Sequence, residues 1–328
     1  MMSKHPLSNP NHCQSSTNNR FSHLIFLSNM PVQTSSDKIS LQHPKGASVE
    51  ILLYGASVVS WKAPSPNDSA VAERLFVSSK ASLDGSKPVR GGIPVVFPAF
   101  GPPTHPEHLQ LPQHGFARSY VWTYDSTVMD NEAGVSVRLL LEPNDEIKAI
   151  FKKAFQLTYV VTLAEHQLST DLHVTNPSTT EVIPFQALFH TYYRAPSADV
   201  VVKSLAGLKY IDKTASTDAE RSTLRTETRS EVDVKQYTDS VYEDAPQSYE
   251  VIWPGDGLHI KTKNLKDLVV WNPQAEAGSK IGDMEDGGWN NYVCVEPGHV
   301  RGFIELQPGK RWIGQQVMTV VGGGKRSS

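Results

Sequence analysis

The chain has 328 residues, 39% of them hydrophobic and 9% aromatic, with a charged fraction of 20%, which excludes a disordered chain and a coiled coil. A net charge of −3, with both signs interspersed, leaves no basic field for a nucleic-acid backbone, and no apolar run approaches the ~18–20 residues of a membrane helix. With only Cys13 and Cys294 present, a disulfide framework and a cysteine-rich zinc site are excluded as well.

Residues 1–36 carry no acidic side chain and are rich in Ser, Asn and Pro. They lack the arginines and amphipathic helix of a transit peptide, and the apolar patch Leu24–Leu27 is too short for a secretory core. The segment therefore reads as a disordered extension, with Met30 as an alternative start. From residue 37 the pattern turns to β. Val49, Ile51 and Leu53 alternate with other residues before Gly55, and Val58-Val59-Ser60-Trp61 resumes the run. GVSVRLLLEP alternates up to a proline. Phe155, Leu157, Tyr159, Val161 and Leu163 then take every second position, and after AEHQ so do Leu168, Thr170, Leu172 and Val174. That pair predicts an antiparallel hairpin with one buried face. Further strands follow in VIPFQALFHTYY, DVVVKSL, YEVIWPG, LHIKTKN, DLVVW, YVCVE, RGFIEL and WIGQQVMTVV. No long stretch has a 3.6-residue period. Many strands without intervening helices predict one all-β antiparallel sandwich over residues 37–323, with a flexible tail at 324–328.

Four segments depart from the alternation and carry polar groups that a plain strand does not need. PVRGGIPVVFPAFGPP places Arg90 beside glycines and prolines. LPQHGFARSY gathers Gln113, His114 and Arg118 around a glycine. PFQALFHTYYRAP puts His190 on an apolar, aromatic strand. NYVCVEPGHVRG puts Glu296 directly before Pro-Gly, at the expected end of a buried strand. Taken singly, each has an ordinary structural explanation: a stiff connection, a solvated loop, a satisfied core histidine, a salt-bridged glutamate. Taken together they offer one acid/base pair and two arginines on a β scaffold. Histidine and glutamate suit proton transfer near neutral pH, and paired arginines suit a dianionic phosphate. The histidines lack metal-ligand spacing, and phosphate-binding glycine loops and a G-x-S-x-G elbow are missing. Residues alone thus reach a β protein with a candidate acid/base site for a small polar anion.

The strings RGGIPVVFPAFG, LPQHGFAR, FHTYY, GLKYID, VVWNP and VCVEPG, in that order, resemble the glucose-6-phosphate 1-epimerases, the hexose-6-phosphate mutarotase branch of the aldose 1-epimerase superfamily. The likeness runs from about Ile39 to Val321. It implies a galactose-mutarotase-like antiparallel β-supersandwich and cofactor-independent, metal-free interconversion of the α and β anomers of a hexose 6-phosphate, chiefly glucose 6-phosphate. By position it implies His190 as general acid and Glu296 as general base. Arg90 and Arg118 would engage the phosphate and the polar edge of the substrate, and Gln113 and His114 its hydroxyls. Asp239 in YTDSVY is the counterpart of a sugar-binding aspartate, with Asp212 in KYIDK as the second candidate. The stretch Thr214–Lys235 is hydrophilic and draws no pocket rim.

Three rival readings remain in view. An aldose 1-epimerase for unphosphorylated sugars needs no paired arginines. A non-catalytic carbohydrate-binding module leaves the His190/Glu296 pair unmotivated. A glycosidase needs two flanking carboxylates. The expected partner is a small sugar phosphate, with no nucleic acid and no membrane; the expected state is a monomer in the cytoplasm.

Overall fold

The computed structural model describes residues 30–322, and among them the alternation in the sequence becomes pleat. In the hairpin Gln156–Leu163 and Gln167–Thr175 every second residue is buried, with Leu168 opposite Leu163 and Leu172 opposite Tyr159. Side chains of one pleat face therefore reach the core together, each stabilising the fold by ~1.5–3 kcal/mol when fully buried.

The strands form three antiparallel sheets. The first has five strands between Val32 and Glu73. The second has nine, with Glu231–Asp233 and Thr123–Asn131 at its edges and the hairpin inside it. Its C-terminal strand Arg311–Gly322 pairs with Gln167–Thr175 on one side and Asp256–Lys263 on the other. The third sheet runs in the order Arg225–Thr226, Lys209–Asp212, Thr238–Tyr242, Asp267–Asn272, Tyr292–Leu306, Ile183–Phe189, Val95–Val96, with Tyr192–Arg194 also paired to Tyr292–Leu306. Leu268, Val270, Val293 and Val295 of this sheet join Leu157, Tyr159 and Val161 of the second in one buried cluster. The helices among the described residues are short, the longest α-helix being Asp145–Ile150, and none is long and apolar enough to cross a membrane.

Three expectations change in detail. The strand Val32–Thr34 pairs with Ile39–Leu41, so sheet structure begins before residue 37. The remainder of the expected extension, residues 1–29, and the tail 324–328 lie outside the described residues. VIPFQALFHTYY is two strands rather than one, broken at His190 and Thr191. YVCVE and RGFIEL are one strand of 15 residues, and Glu296 lies in its interior rather than at an end. Pro297-Gly298 reads as a turn, but here the proline only forfeits a ladder donor and the glycine admits the neighbouring strand. A Cβ on Gly298 would lie 2.7 Å from Leu188 Cβ.

Candidate active site

Strand register places the functional side chains on one face of the third sheet, opposite the main core. Residues directly paired across strands share a face, and so do residues two apart. Asp239 pairs with Trp271, Trp271 with Cys294, and Cys294 with Tyr192. One step along, Val241 pairs with Val269 and Val269 with Glu296. Asp239, Trp271, Cys294 and Glu296 therefore line a single concave surface, while Val293 and Val295 between them fill the core.

Loops close this surface from the side. Phe97 lies 5.8 Å, centroid to centroid, from Phe116 and 5.5 Å from Phe185, and Phe116 lies 5.5 Å from Phe151. This aromatic cluster clamps LPQHGFAR to the segment VVFPAF. The clamp is tight enough to require Gly115, at φ +69°, where a Cβ would lie 2.1 Å from the Phe97 carbonyl oxygen. His114 is held next to it, its Nδ1 accepting the Gly101 amide at 3.2 Å, which leaves the ring proton on Nε2. The result is a cavity of about 260 Å³ lined by Arg90, Phe100, Gln113, His114, His190, Lys213, Tyr237, Asp239, Val269, Trp271 and Glu296.

His190 sits at the break between two strands, where its amide donates to the Pro94 carbonyl at 3.0 Å. Its imidazole stacks on Tyr192 at 4.9 Å with rings 9° from parallel, and meets the edges of Trp271 and His114. That box fixes the ring. Its Nδ1 lies 3.4 Å from Oε1 of Glu296. His190 is 9% exposed and Glu296 1%, and neither His190 Nδ1 nor Glu296 Oε2 has a hydrogen-bond partner among the described residues. A buried polar atom without a partner costs ~1–3 kcal/mol.

Burial, with His114, Arg118 and Arg90 nearby, pushes His190 well below its ordinary pKa. Burial and Asp239 push Glu296 well above its own, against Lys213 and Arg118. Both movements favour the uncharged pair. A carboxylic acid beside imidazole holds the same single proton as a carboxylate beside imidazolium. The titrations of the two side chains are therefore coupled.

The remaining expected residues divide. Arg90, Gln113, His114 and Asp239 line the cavity with His190 and Glu296. Arg90 is already engaged, donating from Nε to Asp283 at 2.9 Å and from a terminal nitrogen to the Tyr192 hydroxyl at 3.2 Å. Arg118 is not among the lining side chains. It donates to the Gln113 carbonyl at 2.9 Å, keeps a buried Nε with no partner, and acts on His190 and Glu296 through its charge. Asp212 faces away into a neighbouring depression and accepts from Arg225 at 2.9 Å, so Asp239 is the aspartate that meets the cavity. Sequence reasoning missed Lys213, whose Nζ lies 3.8 Å from Asp239 and 4.9 Å from the Phe100 ring centroid. A lysine one residue past a short strand carries no pattern of its own. It also missed Cys294, whose Sγ lies with ligand atoms of His190 and Glu296 in a group spanning no more than 4.8 Å. The alternation of Cys294 with Glu296 along VCVE is the signal that could have found it.

Comparison with known proteins places the chain in a family. The family model described as aldose 1-epimerase matches residues 37–319. A protein of Cenchrus ciliaris provisionally named glucose-6-phosphate 1-epimerase is 32% identical over 300 residues, 87% of this chain and 85% of that protein. An Escherichia coli protein with the same provisional name is 31% identical over 266 residues, 79% and 82% of the two chains. Among solved structures, one from Salmonella typhimurium, provisionally described as a mutarotase, superposes with a TM-score of 0.76. It is 22% identical and covers 89% of this chain and 93% of that one, a likeness of fold.

Proposed function

This chain belongs to the aldose 1-epimerase family, and on that footing we propose that it interconverts the α and β anomers of hexose 6-phosphates, chiefly glucose 6-phosphate, with His190 and Glu296 as its acid/base pair. The observation that carries the reading is the 3.4 Å approach of His190 to Glu296, both buried and both with a partnerless polar atom, at the wall of a cavity of monosaccharide scale. In the productive form the shared proton resides on His190. Glu296 takes the proton of the C1 hydroxyl while His190 delivers its own to the ring oxygen, and the C1–O5 bond breaks to give the open-chain aldehyde. Rotation about C1–C2 presents the other carbonyl face. Ring closure then returns both protons with the roles reversed, so the enzyme ends as it began. Each positioned transfer contributes ~10²–10⁴-fold, and holding the open chain in a closable geometry adds to that.

The cations support a phosphorylated substrate. Arg118, Lys213 and Arg90 all act on His114, which burial and these charges together push down to about 3. One wall of the site is therefore electropositive, and guanidinium forks match a phosphate. His114 stays neutral beside them and, with Gln113 and Asp239, offers hydrogen bonds to sugar hydroxyls.

One observation favours the second reading, an epimerase for unphosphorylated hexoses: Arg90 and Lys213 already have acidic neighbours in Asp283 and Asp239. The test is anomeric exchange followed by NMR, with glucose 6-phosphate and glucose compared at equal concentration. Acceleration confined to, or much larger for, the phosphate ester is expected. Preference for free glucose would move the assignment to the unphosphorylated sugar, and no acceleration with either, or with galactose, mannose and their 6-phosphates, would leave a binding module.

A further inference from the structure

We propose that His190, Cys294 and Glu296 form an inhibitory site for a thiophilic divalent cation of the zinc class, which stops turnover by capturing the acid/base pair. The donors are a nitrogen, a sulfur and a carboxylate oxygen, all within 4.8 Å of one another and all from buried residues. That set suits zinc, which takes nitrogen, sulfur and oxygen ligands in a tetrahedron with bonds of ~2.0–2.3 Å. The edge of such a tetrahedron between nitrogen and oxygen is about 3.3–3.4 Å. His190 Nδ1 and Glu296 Oε1 stand 3.4 Å apart, so two of the three ligands already hold the spacing a metal would ask for. Cys294 has to close by up to about 1.3 Å, from within 4.8 Å, to reach its own edge of ~3.5 Å.

A second observation points the same way. His190 Nδ1 is buried without a hydrogen-bond partner among the described residues, so its coordination would displace no protein contact, and the second Glu296 oxygen, Oε2, is likewise unpartnered. Both residues line the cavity, which supplies an entry path and leaves the fourth position to water or a sugar hydroxyl. Cys294 is otherwise packed among Phe76, Tyr192, Met284 and Tyr292, and the reaction needs nothing from it. Binding releases the thiol proton, and any proton held by Glu296, to solvent, and the metal takes the sulfur and oxygen as anions. A carboxylate and an imidazole nitrogen bound to a cation can neither accept nor pass the anomeric proton, so metal and turnover exclude one another.

The site can be read without any assay of turnover. Cobalt(II) added to the full chain carrying Cys13→Ser should give a near-ultraviolet thiolate-to-cobalt band with visible bands of tetrahedral cobalt, and zinc should bleach both. Adding Cys294→Ser to that chain should abolish the thiolate band, with Cys294→Ala as the second variant if serine is not tolerated. In the epimerase assay, zinc should inhibit and a chelator should restore activity. Loss of Cys294 should raise the zinc concentration for half-inhibition at least about tenfold, since even outer partners of a metal carry ~10–100-fold of its affinity. A Cys13→Ser chain that shows no thiolate band, or zinc inhibition unchanged by loss of Cys294, overturns the proposal. The inference uses the proposed catalytic pair, but the cobalt spectrum stands or falls independently of which sugar is turned over.

Discussion

Replacing Glu296 with glutamine should cost activity and add stability, and the two effects come from the same burial. Glu296 is 1% exposed and its Oε2 has no partner. In the unfolded chain a glutamate ionises near ~4.3, whereas burial and Asp239 raise it in the folded protein. Folding therefore binds a proton between those two pKa values. Stability is fully present below about pH 4.3 and falls by about 1.4 kcal/mol per pH unit as pH rises toward the folded pKa. Glutamine does not titrate, and its amide can donate to the partnerless Nδ1 of a neutral His190. At pH 7.5 Glu296→Gln should be more stable than the parent by ~1–3 kcal/mol, the range for a buried unsatisfied polar group. That corresponds to several degrees in Tm at ~2–4 °C per kcal/mol for chains of this scale. The gain should vanish at pH 4. Over the same change kcat should drop ~10²–10⁴-fold, because only the proton carrier is lost. The measurements are thermal melts at pH 4 and pH 7.5 and anomeric exchange by NMR. A lower Tm at pH 7.5 would refute the electrostatic argument, and kcat within tenfold of the parent would refute the catalytic one.

Four further substitutions test the surroundings of that pair and the rest of the fold. Lys213→Gln should raise KM for glucose 6-phosphate at least about tenfold while changing that for free glucose little, read by exchange kinetics at varied substrate; equal effects on both would remove Lys213 from phosphate recognition. Asp239→Asn should lower kcat/KM ~10-fold or more, whereas Asp212→Asn, in its separate depression with Arg225, should leave turnover within about twofold; the reverse order would restore Asp212 as the sugar ligand. Burial pushes the Glu227 carboxyl up, but hydrogen bonds from the Arg229 side chain and amide and from the Tyr242 hydroxyl outweigh it and hold it at about 2. This is a depressed acid, so its stabilisation is present above about pH 4.3 and is lost as pH falls toward 2. Glu227→Gln should cost about 2 kcal/mol at pH 7, allowing for the half-exposed Arg229, and nothing near pH 2; a denaturation midpoint that shifts equally at both pH values would overturn the assignment.

What could be read from the chain follows from which forces leave a period in it. The hairpin Gln156–Leu163 and Gln167–Thr175 was legible because one face is buried along its whole length. Thr238–Tyr242, which carries Asp239, was less so: its first two residues are half-buried and the next three buried, so no alternation appears. The edge strand Thr123–Asn131 left no apolar stripe because most of its residues face solvent. Strand ends were misread where Pro-Gly serves close packing rather than a turn, as at Pro297-Gly298. Within the site, Arg90, Gln113, His114, His190 and Glu296 stood out because each interrupts its local pattern. Lys213 and Cys294 did not, since a lysine after a strand and a cysteine in an apolar run are both ordinary. Alternation along VCVE puts Cys294 on the face of Glu296, but only the register between strands adds His190's stacking partner Tyr192 to that face.

On the proposed reading, phosphate recognition and acid/base chemistry are one electrostatic problem. The charges that would hold a phosphate, those of Arg90 and Arg118, also hold the proton affinity of His190 down. In the free protein burial favours the uncharged pair, Glu296 as an acid and His190 as a free base, and the cations add to that at His190 while Arg118 opposes it at Glu296. That form is the wrong way round for taking a proton from C1 and giving one to the ring oxygen. A dianionic group bound against the cations would cancel much of their field at His190 and so raise the proton affinity of the imidazole that must protonate the ring oxygen. The phosphate would act twice, as a handle that binds and as the charge that sets the proton. A hexose without it would meet a pair poised in the opposite sense, and its slower turnover would follow even if its ring lay in the same place.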